Sequence, residues 1–276
     1  MIDDLLHIFY PRSYTLSSGK VVKEKFNWAP YITIIVIIFS LLCAKITGVK
    51  LSVLRDRGYQ FFVMLKQMIP PNWSFWADVK KPMLDTIIMS VLGTVFGCLL
   101  GLPISFYLSN NFKLNKYYMA VHRGLLSVLR TLPTMIYASL ISLVIGTGTL
   151  AGTISIAIFT YTICVKMLYE QIETIDMGPY EAMESTGASR VQCMINAAYP
   201  QVRGYFWSTV LYCFETNVRS AAILGYVGAG GIGVQINTQL RWRAYANTGL
   251  ILFVLVITVV VIETVSREIR KKLVQG

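Results

Sequence analysis

Residues 131–165 read TLPTMIYASLISLVIGTGTLAGTISIAIFTYTICV and hold no Asp, Glu, Lys or Arg. A helix crosses a bilayer's hydrocarbon core in about 20 apolar residues, so this stretch is long enough for nearly two crossings. The Gly146-Thr147-Gly148-Thr149 break marks a turn between them. The expected result is a helical hairpin over roughly 124–146 and 149–169. Outward from it, apolar blocks run from Trp28 to Ala44, with Trp28 and Tyr31 as interfacial anchors, and from Leu84 to Leu108 behind Lys80, Lys81 and Pro82. Two more run from about Tyr205 to Leu224 and from about Ala246 to Ile262. The expected fold is an all-α integral membrane protein of about six transmembrane helices.

The composition agrees. Of 276 residues, 55% are hydrophobic and only 14% charged, against about 25% charged in a soluble domain. Disorder is excluded, because it needs low hydrophobicity and high charge. The net charge of +11 sits beside the apolar blocks, where anionic lipid headgroups explain it better than nucleic acid does. Cys43, Cys98, Cys164, Cys193 and Cys213 form no CxxC pair, and all but Cys193 lie in apolar blocks. They read as reduced, space-filling residues, with no disulfide framework or metal site expected. No cleavable signal peptide is expected, since residues 1–27 are polar and no small-residue cleavage site follows the first block.

An even number of spans puts both termini on one side. With both cytoplasmic, fourteen Lys and Arg fall on the inside segments against nine outside, which favours that orientation. The chain then divides into a cytoplasmic N-terminal segment 1–27, a first span 28–44, an extracytoplasmic amphipathic segment 45–82, a core domain 84–266 with five spans, and a cytoplasmic tail 267–276. Within 45–82, Leu51, Leu54, Phe61, Phe62, Leu65 and Ile69 recur at helical spacing opposite Arg55, Gln60, Lys66 and Gln67. That pattern predicts a helix lying in the membrane interface or packed on the bundle, ended by Pro70-Pro71.

The loop between the fourth and fifth spans, residues 171–204, carries the most informative motif. Pro179 suits the first turn of a helix, and Glu181 and Glu184 then lie near its positive end. Gly187 ends that helix, and a second is expected from Ser189 to about Tyr199, stopped by Pro200. The order Glu181-Ala182, then Gly187-Ala188, then Pro200 resembles the coupling motif of the membrane subunits of bacterial ABC importers. Met183 stands where that motif usually has alanine, and Ala197 and Tyr199 replace its usual aliphatic residues. The resemblance implies that Glu181, Ala182, Glu184, Gly187, Ala188 and Pro200 belong to a short cytoplasmic helix seated in a cleft of an ATP-hydrolysing partner.

A second segment narrows the resemblance. Glu215 and Asn217 precede the run R-S-A-A-I-L-G-Y-V-G-A-G-G-I-G, residues 219–233, which opens with Arg219 and resembles the permeases of phosphonate ABC transporters. With Arg130-Thr131-Leu132-Pro133, the resemblance covers most of the chain from about residue 84. It implies a homodimeric permease of the bacterial inner membrane, two cytoplasmic ATPase subunits that bind ATP and Mg, and an extracytoplasmic substrate-binding protein. The chain then does no covalent chemistry and binds no cofactor or metal of its own. Phosphonate or a related small anion is the expected cargo, with methionine or phosphite as the alternative because methionine-importer permeases share a looser version of the run.

The physics of the charged residues stands beside that. A charge at a helix centre costs roughly 2.5–3.5 kcal/mol on insertion scales, and Glu215 and Arg219 at i, i+4 can offset part of each other's cost. Either they form a structural pair, or Arg219 or Arg130 lies beside the path and attracts an anion. Arg130, Glu215, Asn217 and Arg219 are therefore the substrate-path candidates. The glycine run Gly225, Gly228, Gly230, Gly231 and Gly233 contains a literal GxGxxG but follows an apolar helix, with no acidic residue until Glu263. A broken-helix turn at the outer face fits it better than a dinucleotide site. No phosphate-binding G-x-x-x-x-G-K-[ST], HExxH or GxSxG is present, so neither an ATPase nor a membrane protease or lipase has visible machinery. An ion-coupled secondary transporter would need two halves with matched broken helices, and the sequence shows none.

Overall fold

The computed structural model describes residues 13–15, 19–23, 28–48, 51–112 and 115–275. Most of the expected N-terminal segment 1–27, and Lys50 and Lys113 of the charge tally, lie outside the described residues. The chain forms two units, residues 1–63 and 64–276.

In the first unit, β1 (Ser13–Thr15) pairs antiparallel with β2 (Val21–Lys23), Tyr14 opposite Val22. This small hairpin is an addition to the helical fold. Helix α1 (Ala29–Ile46) has a proline in its first turn and buries no residue. A helix apolar on every side suits a lipid-facing span. Helix α2 (Leu51–Gln67) begins in this unit and ends before Pro70-Pro71, as its pattern predicts.

The second unit is built on α3 (Trp76–Leu108), a helix of 33 residues, laid along α6 (Thr149–Ile172). Gly93, Gly97 and Gly101 recur every fourth residue and present a groove on α3. A Cβ on Gly97 would stand 2.7 Å from both the Ala157 carbonyl oxygen and the Thr160 Cβ. Small residues at this spacing let two helices approach to backbone contact, which replaces the hydrophobic drive that is missing between helices in lipid. On the same helix, the hydroxyls of Thr86, Ser90 and Thr94 donate to the carbonyls of Pro82, Thr86 and Ser90 at 2.8, 2.7 and 2.6 Å. Their donors are thus satisfied within the helix, while their oxygens stay open to other elements.

The hairpin turn forms as the glycines predict: Gly146 and Gly148 adopt φ of 97° and 146°. The first arm differs from expectation. Instead of one span over 124–146, α4 (Lys116–Thr131) and α5 (Thr134–Ile145) meet at a 91° bend. The cause is Pro133, which pushes Leu132 out of helical geometry to ψ 125°.

Beyond α6 come α7 (Gly178–Ser185), α8 (Arg190–Cys193), a π-helical turn Met194–Ala198, α9 (Tyr199–Leu224), α10 (Ile232–Arg241) and α11 (Tyr245–Gln275). The short helix α10 was not foreseen. Among the described residues, four helices qualify as spans by length and apolarity: Ala29–Ile46, Trp73–Leu108, Thr149–Ile172 and Tyr245–Leu273. Counted as one broken span, the bent α4–α5 pair makes a fifth. The fifth expected span, about Tyr205 to Leu224, falls within α9, a helix of 26 residues, but with Arg203, Glu215, Asn217 and Arg219 along it α9 is too polar to qualify by the same measure.

The core runs in patches along the helices. Phe106, Phe112, Leu168, Ile172, Tyr180, Val202 and Phe206 form the largest apolar cluster. All five cysteines are free thiols, and Cys98, Cys164, Cys193 and Cys213 are buried in that cluster.

Candidate functional site: an exposed helical turn and a charged helix face

The segment that leaves α6 and returns to α9 is closed by one side chain. The Gln201 amide donates to the Asp176 and Ala197 carbonyls, both at 3.0 Å, and its Oε1 accepts from the Asp176 amide at 3.1 Å. The Asp176 carboxylate in turn accepts from the Gly178 amide at 2.9 Å, which starts α7 with Pro179 in its first turn. Helix α7 ends as the sequence implies. Gly187 adopts φ +88° with open space around its Cβ position, and the Gly187 and Ala188 amides donate back to Glu184 and Met183. Here only the left-handed backbone angle calls for glycine.

Ser189 then caps α8 in a reciprocal pair with Gln192. The expectation that Pro200 stops this second helix is corrected by the structure. The chain widens into the π turn, where the Tyr199 amide donates five residues back to Met194, and runs on into α9 with Pro200 in its first turn. A proline lacks the amide that an α-turn needs, and a widened turn removes the clash.

The turn stands on a buried foot and shows a polar crown. Tyr180, Cys193, Ala197 and Ala198 are buried, whereas Glu181, Ala182, Glu184, Gly187 and Pro200 are exposed and Ala188 is half-buried. The Tyr180 ring lies 5.1 Å from Phe112, itself 5.9 Å from Phe106. Burial, with smaller contributions from Glu184 and Cys193, raises the Tyr180 hydroxyl above its ordinary pKa. A cavity of about 130 Å³ opens beside it, lined by Asn111, Met177, Glu181, Glu184 and Arg190 among others.

The foot reaches the bent pair through a polar clamp that was not foreseen. The Arg123 guanidinium of α4 lies 4.4 Å over the Tyr169 ring, donates to the Leu108 carbonyl at 2.9 Å, and pairs with Glu173. Glu173 also accepts from the Asn110 amide at 2.9 Å, while Asn111 donates to the Ile172 carbonyl at 2.8 Å.

On α9 the expected pair forms: Arg219 Nη2 lies 2.8 Å from Glu215 Oε1. The structure adds Arg270 of α11, also 2.8 Å from Glu215, on Oε2. One buried carboxylate therefore serves two guanidiniums. Asn217 takes a different place, donating to the Thr94 and Thr160 hydroxyls, both at 2.8 Å. Its amide ties together α3, α6 and α9 at their junction. Arg130 is exposed in the last turn of α4, just before the bend, and among the described residues it forms no ion pair.

The glycine run folds into a tight reversal rather than an open loop. Gly228, Gly230 and Gly231 have positive φ. Gly225 and Gly233 meet backbone to backbone, so a Cβ on Gly225 would come within 2.1 Å of the Gly233 carbonyl carbon. Ala229 is fully buried, the Ile232 amide donates to the open Thr86 oxygen at 2.7 Å, and the Gly148 amide donates to the Gly228 carbonyl at 2.9 Å. The run thus separates α9, which ends at Leu224, from α10, which begins at Ile232, and most of it is buried. Among the described residues, no three His, Cys, Asp or Glu side chains converge as they would around a metal ion.

Of the residues that went unnoticed, Gly93, Gly97 and Gly101 had a legible signal in their four-residue spacing. Arg270 and Arg123 had none, because each meets its carboxylate across more than 49 residues of chain.

Comparison with known proteins supplies the family. Residues 93–275 match the model of the binding-protein-dependent transport system inner membrane component. The phosphite transport system permease protein PtxC of Stutzerimonas stutzeri is 31% identical over 205 residues, 74% of this chain and 74% of that protein. The phosphate-import permease protein PhnE of Mycolicibacterium smegmatis is 30% identical over 220 residues, 80% of this chain and 41% of that protein. A chain of the inward-facing MetNI methionine ABC transporter shares the fold, with a TM-score of 0.65, 21% identity, and coverage of 73% of this chain and 99% of that one. The chain belongs to the binding-protein-dependent transport system inner membrane components, the permease subunits of ABC importers.

Proposed function

We propose that this permease carries a small phosphorus oxyanion, phosphite, phosphonate or phosphate, and is driven by ATP hydrolysis in a partner. The observation that carries the coupling half is the turn from Glu181 to Ala188, an exposed crown on a foot fixed by Tyr180, Cys193 and Gln201. Such a rigid projection can be pushed as a unit. The crown docks in a cleft of a cytoplasmic ATPase, one per permease copy in a homodimer. Tyr180, Phe112 and the Arg123 clamp pass its displacement to the bent helices. ATP and Mg belong to the ATPase, and this chain does no covalent chemistry.

The cargo half is supported by PtxC and PhnE, whose names give phosphite and phosphate. Both termini and the crown lie on the cytoplasmic side, and an extracytoplasmic binding protein delivers cargo at the face that bears the glycine reversal. Arg130 stands at the bend, where it can meet the anion.

The test is ATP hydrolysis by the complex of this chain with its ATPase in lipid, with and without binding protein loaded with phosphite or a phosphonate. Stimulation by loaded binding protein supports both halves. Assembly without stimulation discards the cargo, and failure to assemble with an ATPase overturns the coupling. Uptake driven by a proton gradient without ATP would favour a secondary transporter.

A further inference from the structure

We propose that Arg219, held by the carboxylate it shares with Arg270, is the point at which the permeating oxyanion touches α9. This deepens the oxyanion reading above and rests on it.

Two observations carry it independently. The first is charge. Glu215 lies 2.8 Å from each of two guanidiniums, so the three side chains sum to one positive charge. The Glu215 side chain is 7% exposed and that of Arg219 is 49% exposed. Glu215 therefore orients the Arg219 guanidinium from its buried side and leaves the outer donors free.

The second is the face on which Arg219 sits. Ser208, Tyr212, Thr216, Arg219 and Ser220 share one side of α9 by helical spacing, and each is exposed or half-buried. Among the described residues, α9 is the one helix of 18 or more residues too polar to count as a span. Hydrocarbon is a poor neighbour for a row of hydroxyls ending in a guanidinium. Such a face belongs against water, and in a permease that water is the path.

The chemistry suits the cargo. A guanidinium's planar fork matches two oxygens of a phosphite or phosphonate. Because Glu215 already takes part of its charge, Arg219 holds the anion loosely, as a way station must if the cargo is to leave. Arg270 supplies the second positive charge, so Glu215 can serve as a positioning residue without cancelling Arg219.

The experiment uses the permease–ATPase complex in liposomes, with its binding protein and phosphite as the probe. ATP-dependent phosphite uptake by the wild type checks the underlying reading, and its absence overturns that reading together with this proposal. Where the wild type transports, Arg219→Gln is expected to lower phosphite uptake by about tenfold or more, the loss of a charge-assisted contact. Assembly with the ATPase should be retained, and Arg219→Lys should recover part of the uptake. Wild-type uptake in Arg219→Gln overturns the proposal. Thr216→Cys leaves the ion pairs intact and tests the wet face directly. It should react with a membrane-impermeant, negatively charged thiol reagent, and excess phosphite should slow that reaction. No labelling above the native cysteines would place this face against lipid or protein and overturn the proposal, even where Arg219→Gln fails to assemble.

Discussion

Replacing Gly97 by alanine tests whether the α3–α6 contact carries the membrane core. The added methyl would stand 2.7 Å from the Ala157 carbonyl oxygen, 2.7 Å from the Thr160 Cβ and 2.9 Å from the Tyr161 amide nitrogen. Two of these neighbours are backbone, so no rotamer change relieves the clash. The helices must separate by about 0.7 Å to reach ordinary van der Waals distance. Overpacking of this kind costs about 1–3 kcal/mol. Thr160 also accepts the 2.8 Å hydrogen bond from Asn217, and stretching that bond adds about 1 kcal/mol. The total, about 2–4 kcal/mol, should lower the thermal midpoint of the purified permease in detergent or lipid by about 5–10 °C. Gly124→Ala is the control, since a Cβ there meets nothing within 4 Å and alanine raises helix propensity. Equal midpoints for Gly97→Ala and Gly124→Ala would refute the argument that this packing leaves no room for a methyl.

Three further outcomes follow from the geometry. Gly187→Val should lower coupled ATP hydrolysis, because a β-branched residue at φ +88° costs about 1–2 kcal/mol, whereas Gly187→Asn should stay near wild type; equal coupling in the two variants would show that the backbone angle does not matter. Asn217→Leu should destabilise the bundle by about 1–3 kcal/mol by stripping the Thr94 and Thr160 hydroxyls of their donor, and an unchanged unfolding midpoint would remove Asn217 from the account of the three-helix junction. The Tyr180 hydroxyl is held above its ordinary pKa, so it stays neutral in the fold and ionises more readily once released. Its stabilisation is present below the usual tyrosine value of about 10 and is lost as pH rises beyond it. Proteolysis of the 177–200 turn should accelerate at alkaline pH in the wild type and less so in Tyr180→Phe.

Local chemistry made much of this protein legible. An uncharged run of 35 residues cannot be a soluble loop, and a proline, two acids and a glycine in the order from Pro179 to Gly187 describe a capped helix with a left-handed end. The Glu215–Arg219 pair was visible because i and i+4 face each other on any helix. These inferences hold because their causes lie within a turn or two of chain. Periodicity and composition report such neighbours directly.

Long-range packing settled the rest. Whether Pro200 ends a helix or opens one depended on the π turn ahead of it, whose Ala197 and Ala198 are buried. Pro133 marks a break in the sequence, but a proline is equally compatible with a slight kink within one span, and the 91° angle is visible only in the tertiary structure. Asn217 looked like Arg219 on paper, two polar residues in one apolar block. Their roles parted because Asn217 points at the hydroxyls of α3 and α6 while Arg219 points outward. Arg270 joined Glu215 across 55 residues, a meeting that no local pattern encodes. A buried carboxylate is stabilised by whichever cations the fold brings to it, and in lipid that choice is made by helix–helix contact.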